Sequence, residues 1–155
     1  MTITAGALVD AADYSDSGWL DTVIYETNWE NYVAGVANNH FEYRKIGLEV
    51  ETRGYVRRTA GASANQTLFM FTLPAGFRPS RNIVWLGLTS ATWVTGPAST
   101  GTAHTHTIND HATMGPICRI DIWTNGNFRI LLPVGATMAI DDWVNFGGLK
   151  FSVDN

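Results

Sequence analysis

The feature that most constrains the fold is a succession of short runs rich in β-branched and aromatic residues, which starts at Trp19 and continues to the C-terminus. Gly, Pro and Asn separate these runs, a combination typical of strands joined by tight turns. Residues 21–32 come closest to a helical pattern, but their Thr, Asn and aromatic residues are weak helix formers. The chain has 155 residues, enough for one domain with its own core. The pattern predicts an all-β domain, an antiparallel, jelly-roll-like β-sandwich.

The segment 48–58 has the clearest strand pattern. One set of alternate residues is small or apolar and the other is charged: Leu48, Val50, Thr52, Gly54 and Val56 against Glu49, Glu51, Arg53 and Arg57. Successive side chains of a strand point to opposite faces, so one face is predicted to be buried and the other solvated.

Two other runs, 68–73 (LFMFTL) and 83–88 (IVWLGL), are apolar on both faces. A strand of this kind is covered on both sides. In a sandwich the opposing sheet covers one side, and a loop or another subunit must cover the second. Charged residues make up 15% of the chain, where about 25% is usual for soluble domains. We therefore expect another subunit, rather than a loop, to provide the second cover.

A β-hairpin is predicted around the turn at residues 124–126. A two-residue Asn-Gly loop would place Trp123 opposite Phe128. A three-residue loop with Gly126 in the left-handed conformation pairs apolar with apolar and acidic with basic residues, so we choose it. Its register places Ile122 opposite Phe128, Ile120 opposite Ile130, and Asp121 opposite Arg129.

The chain divides into three parts by composition. Residues 1–18 are small, polar and acidic and are predicted to form an N-terminal arm for attachment. Residues 19–155 form the β-domain, with a Gly-, Thr- and His-rich insertion at 95–117 that holds three of the four histidines. A long insertion without strand pattern in a compact domain is usually functional or disordered.

Several classes of protein are excluded or disfavoured. No apolar stretch is long enough to span a membrane, and residues 1–18 lack the features of a signal peptide. A lone cysteine, Cys118, excludes an internal disulfide and a cysteine-based zinc site. The net charge of −4 argues against nucleic acid as a partner.

The charges are distributed unevenly along the sequence. Residues 1–43 contain seven carboxylates and no Lys or Arg, whereas residues 44–81 contain seven basic residues and two acidic ones. This asymmetry could orient chains in an assembly, or the two segments could pair within one chain; both alternatives remain open.

The insertion contains a candidate metal site at His104 and His106. In a strand both rings would project to one face, about 6.7 Å apart along the chain. Three chains around a threefold axis would supply six imidazoles, which suit an octahedral Fe, Ni or Zn ion shared by the three chains. The alternative is a solvated loop with incidental histidines. His111 could add a ligand or a hydrogen bond within the loop.

No catalytic constellation appears in the sequence, so we expect no enzymatic activity. The run HTHTINDH at 104–111 is similar to the zinc motif of metallo-β-lactamase-type hydrolases, but its spacing differs and the strand-helix alternation of that scaffold is missing. Asp141 and Asp142 are adjacent, and neighbouring strand residues face opposite ways.

An ordered set of segments resembles the C-terminal β-sandwich modules of tailed-phage tail fibres, tail spikes and receptor-binding proteins. The segments are TNWENY (27–32), FEYRKIGLEVETRGYV (41–56), LFMFTLPAGFRPSRNIVWL (68–86), CRIDIWTNGNFRIL (118–131) and WVNFGGLKFSV (143–153). The histidine-rich insertion interrupts the pattern. The resemblance implies a homotrimeric virion protein without enzymatic activity, and some phage fibres carry metal-binding H-x-H steps on the trimer axis.

The function expected from this resemblance is a tail-fibre or tail-tip adhesin that binds the host surface. Its expected partners are further copies of itself, other virion proteins through residues 1–18, and a host-surface polysaccharide. Trp93 and His111 are the candidate receptor-binding residues, since Trp93 borders the insertion and aromatic rings stack on sugars. The expected location is the exterior of the tail or capsid, after synthesis in the host cytoplasm. The alternatives are a head-decoration or baseplate protein without a receptor and, outside phages, a secreted carbohydrate-binding module.

Overall fold

The computed structural model describes residues 15–32, 39–62, 66–90, 92–93, 117–132 and 136–153. These residues form antiparallel sheets and contain no helix that could cross a membrane. The strands are β1 (Ile24–Tyr25), β2 (Trp29–Asn31), β3 (Glu42–Ile46), β4 (Glu49–Arg53), β5 (Tyr55–Arg58), β6 (Thr67–Thr72), β7 (Ile83–Thr89), β8 (Thr92–Trp93), β9 (Ile117–Ile122), β10 (Asn127–Leu131), β11 (Ala136–Thr137), β12 (Trp143–Asn145) and β13 (Lys150–Ser152). The predicted all-β class is confirmed.

The largest sheet has eight strands in the order β1-β6-β10-β9-β7-β12-β5-β2. Its edge strands, β1 and β2, are joined by residues 26–28 alone. So short a connection keeps the two edges close together, and the sheet curls into an almost closed, barrel-like form.

A second sheet has the order β13-β4-β3. Residues 15–20 extend it beside β3: the backbone N–H groups of Leu20 and Tyr43 each donate to the other residue's carbonyl, at 2.8 and 2.9 Å. The last four residues of the predicted arm therefore lie against the domain, while residues 1–14 are outside the described part. A small pair, β8 and β11, completes the strands.

The predicted strand at 48–58 is two strands in different sheets, so the prediction of one continuous strand is wrong. Gly54 separates β4 from β5 with a φ of +83°, a conformation that favours glycine. Its predicted alternation is otherwise confirmed, since Val50, Thr52 and Val56 are buried. Leu48 is 45% exposed, because it lies in the turn before β4.

Aromatic side chains from both sheets meet in the core. The ring of Phe41, next to β3, lies 4.5 Å from that of Phe71 on β6 and 5.2 Å from that of Phe146, which follows β12. Phe71 stacks on Phe128 of β10 at 4.6 Å. These four rings are at most 1% exposed, so the space between the sheets is a packed core.

The predicted β9–β10 hairpin is confirmed in its register: Ile122 lies opposite Phe128, Asp121 opposite Arg129 and Ile120 opposite Ile130. Gly126 has a φ of +88°, as the three-residue loop requires.

The uneven charges are paired within the chain at three places. Asp16, Glu30 and Glu42 from the acidic segment form ion pairs with Arg44, Arg57 and Arg53, respectively, from the basic segment. For these six residues, the intramolecular alternative is confirmed.

Candidate functional site

The sequence-predicted site residues fall almost entirely outside the described part of the chain. This holds for His104, His106 and His111. The backbone of Trp93 lies in β8, where it pairs with Ala136, but its side chain is not among those described. Within the described ranges, no group of three or more His, Cys, Asp or Glu residues could hold a metal ion.

The described residues contain a different candidate site, on the convex side of the eight-stranded sheet. On β7, Ile83 and Trp85 pack against the core, while Val84 and Leu86, which alternate with them, are 61% and 66% exposed. On the neighbouring strand β9, Ile117 is 59% exposed. One face of the run 83–88 is therefore covered in the single chain and the other is open to solvent.

Strand register places further side chains on the same surface. Across the sheet, Val84 of β7 lies opposite Asp121 of β9, which lies opposite Arg129 of β10. Arg129 in turn lies opposite Phe69 of β6, and Leu86 of β7 lies opposite Arg119 of β9. We call these positions, together with Ile117, the outer face: Phe69, Val84, Leu86, Ile117, Arg119, Asp121 and Arg129.

An ionic cluster occupies the centre of the outer face. Arg119 donates from Nε to Oδ1 of Asp121 at 2.7 Å, and Arg129 donates from a terminal nitrogen to Oδ2 at 2.7 Å. The side chain of Asp121 is 5% exposed, so two guanidinium groups cover its carboxylate. Burial alone would raise the pKa of Asp121, but the hydrogen bonds from Arg119 and Arg129 outweigh it and hold the pKa below its ordinary value.

Two aromatic rings extend the outer face toward β6. The guanidinium carbon of Arg129 lies 4.2 Å from the centre of the Trp123 ring, and the Phe69 ring meets Trp123 edge-on at 5.8 Å. A bulge of the β6–β10 pairing, between Phe128 and Arg129, lets both Met70 and Phe71 face the core while Phe69 stays outside. The run 68–73 is thus apolar on both faces: Met70 and Phe71 face the core because of the bulge, and Phe69 packs against Trp123 on the outer face.

The chemistry of the outer face suits association. It combines exposed aliphatic and aromatic side chains with arginines, the composition found in the buried centres of protein interfaces. The nearest nucleophile is Cys118, which is buried under this surface and donates to the Gly87 carbonyl at 3.4 Å. Burial raises the pKa of its thiol to about 12, which keeps it protonated at neutral pH.

Comparison with known proteins adds no identity: no protein-family model matches the chain, and no curated protein matches its sequence.

Sequence reasoning identified part of the outer face. It found the two-sided runs and the opposition of Asp121 and Arg129. It did not find Arg119, although residues 119 and 121 share a face of any strand, and that spacing was the available signal. Ile117 was assigned to the insertion, so its position at the start of β9 was missed.

Proposed function

We propose that the chain is a non-enzymatic virion protein of a tailed phage, which acts as a tail-fibre or tail-tip adhesin in the form of a homotrimer of β-sandwich domains. The observation that carries the proposal is the exposed aliphatic surface of Val84, Leu86 and Ile117. The resemblance of residues 27–153 to phage receptor-binding modules supports the virion setting.

The outer face supports self-association for an energetic reason. Each exposed aliphatic side chain stabilises an interface by about 1.5–3 kcal/mol when it is fully buried. The carboxylate of Asp121 already has its partners, so covering it leaves no unpaired acid in the interface. A second copy of the chain is the partner present at the same concentration wherever the protein is made.

The trimer is tested by light scattering of the purified chain at micromolar concentration. We expect three times the 17.0 kDa chain mass. A stable species of one chain mass would overturn the trimer.

The adhesin is tested by adding labelled protein to host cells and to isolated wall polysaccharide, with intact capsids as the comparison surface. Saturable binding to cells or polysaccharide is expected. Binding to capsids alone would instead establish the head-decoration alternative.

A further inference from the structure

A cleft of about 470 Å³ lies where the two sheets meet, beside the outer face. One wall is formed by the residues that lead into β7, and the other by β13 and the start of β4. Its lining residues are Glu49, Ser80, Arg81, Asn82, Ile83, Val84, Lys150, Phe151 and Ser152.

Backbone hydrogen bonds fix the shape of this cleft. The Ser80 N–H donates to the Ser152 carbonyl at 3.1 Å, which ties one wall to the other. Phe151 is 6% exposed and belongs to the core, so the apolar base of the cleft is part of the packed interior. A ligand would therefore enter a site that already exists and would have little ordering entropy to offset.

The two cations of the cleft differ in their partners. Lys150 Nζ lies 2.7 Å from a Glu51 carboxylate oxygen and 3.3 Å from a Glu49 oxygen, so its charge is balanced. Arg81 is exposed and has no hydrogen bond or ion pair with any part of the chain that the structure describes. Three charged side chains line the cleft, Glu49, Arg81 and Lys150, and of these Arg81 alone has no ion pair with the described residues.

Neutral donors stand next to Arg81. The Oδ1 atom of Asn82 accepts from the Thr124 N–H at 3.0 Å, which orients the amide and leaves its NH₂ group without an acceptor among the described residues. The hydroxyls of Ser80 and Ser152 also lack partners in this part of the chain. A guanidinium fork beside an amide and two hydroxyls suits an anionic group carried on a hydroxylated chain.

We propose that this cleft binds an anionic saccharide or polyol chain, with Arg81 holding its carboxylate or phosphate and Asn82, Ser80 and Ser152 binding neighbouring hydroxyls. This inference rests on the proposed adhesin function and names the chemical class of the receptor. The chain as a whole carries a charge of −4, so recognition would depend on Arg81 locally and weaken with added salt.

The proposal is tested by titrating the full chain with three probes and following binding by calorimetry: an oligogalacturonate, a glycerol-phosphate oligomer and, as the neutral comparison, maltohexaose. Tighter binding of either anionic probe is expected, and which of the two binds identifies carboxylate or phosphate as the source. Arg81→Gln should weaken that binding about tenfold or more, because it removes a charge-assisted bidentate contact.

Lys45→Gln is the matched control, since it removes one positive charge from β3, outside the cleft lining, and should leave affinity within about twofold of the original. Equal binding of all three probes, or an Arg81→Gln affinity equal to that of the unsubstituted chain, would overturn the cleft assignment. Host-cell binding that survives Arg81→Gln would overturn the cleft and leave the adhesin standing. If the protein binds an anionic probe but does not bind host cells, the cleft assignment stands and the adhesin function is overturned.

Discussion

Asp121 shows how a single residue is held by its neighbours on a sheet surface. Its carboxylate lies on the convex side of the sheet, a position that would ordinarily be hydrated, yet two arginines cover it. The pairing with Arg129 could be predicted from sequence because a short turn fixes the register between them. The burial could not be predicted, because it depends on one guanidinium group from β9 itself and another from its neighbour β10 closing over the same carboxylate.

We expect Asp121→Asn to lower the free energy of unfolding by about 2 kcal/mol at neutral pH, since the amide loses charge-assisted hydrogen bonds from two arginines. The folded-state pKa of Asp121 is depressed, so its stabilisation is present above the unfolded pKa of about 3.9 and is lost as the pH falls through the folded value. Urea unfolding of both proteins should therefore show a difference that shrinks below about pH 4.

Asp21→Asn provides the control for this measurement, because Asp21 is exposed and makes no ion pair with the described residues. Its expected effect is below about 0.5 kcal/mol at either pH. Equal losses for the two variants would contradict the account of the cluster.

Among the elements, the bend at Gly54 takes the chain from one sheet to the other, since β4 belongs to the three-stranded sheet and β5 to the eight-stranded one. Period-2 alternation continues through Gly54, so the sequence predicts one strand where there are two. A Cβ at this position would lie 1.7 Å from the His40 carbonyl oxygen. Local pattern could not reveal that contact, because residues 39–40 reach Gly54 only through the fold, where the Tyr55 N–H donates to the Asn39 carbonyl.

Gly54→Ala is expected to destabilise the protein by about 3 kcal/mol or more, since it adds a backbone clash to the cost of a left-handed alanine. Gly148→Ala is the matched comparison, because Gly148 has a φ of +86° and open space around its Cβ position. Only the left-handed conformation of the alanine should therefore lower stability, by about 1–2 kcal/mol. Thermal unfolding of both variants separates the two contributions. Similar losses would mean that the His40 backbone moves aside freely.

For the whole molecule, the exposed aliphatic side chains of the outer face determine how copies of the chain would associate in the proposed trimer. The sequence has few charged residues and two strands that need cover on both faces, and the structure places three exposed aliphatic residues, Val84, Leu86 and Ile117, together on β7 and β9. The acidic segment and the basic segment that follows it, by contrast, form three ion pairs with each other within one chain. The sequence shows which segment has an excess of acidic or of basic residues, but not the distances between their side chains, which decide whether they pair within one chain.

Leu86→Glu should shift the protein from the proposed trimer to single chains, because the interface would have to bury a carboxylate in place of an aliphatic side chain. The neighbouring Arg119 could pair with it only by sharing the guanidinium group that now serves Asp121. Ile140→Glu is the control, since Ile140 is 63% exposed, close to the 66% of Leu86, but lies in the turn before β12. Sedimentation at micromolar concentration should show the control unchanged. A Leu86→Glu protein with an unchanged mass would remove the outer face from the interface.

The metal site predicted at His104 and His106 also belongs to this scale, because the octahedral count needs three chains. Elemental analysis of purified protein should find about one Fe, Ni or Zn ion per three chains, and a double substitution of both histidines by alanine should abolish it. Metal content far below about 0.3 per chain in the unsubstituted protein would refute the site.

The position of β12 in the eight-stranded sheet has a consequence for folding. This strand comes from residues 143–145, yet it pairs with β5 on one side and β7 on the other. Until β12 has formed, β5 and β7 each keep an open edge, because each of them pairs with β12 and not with the other. Such edges readily pair with the wrong neighbour, so we expect the chain to be open to misassembly until β12 has paired with both strands.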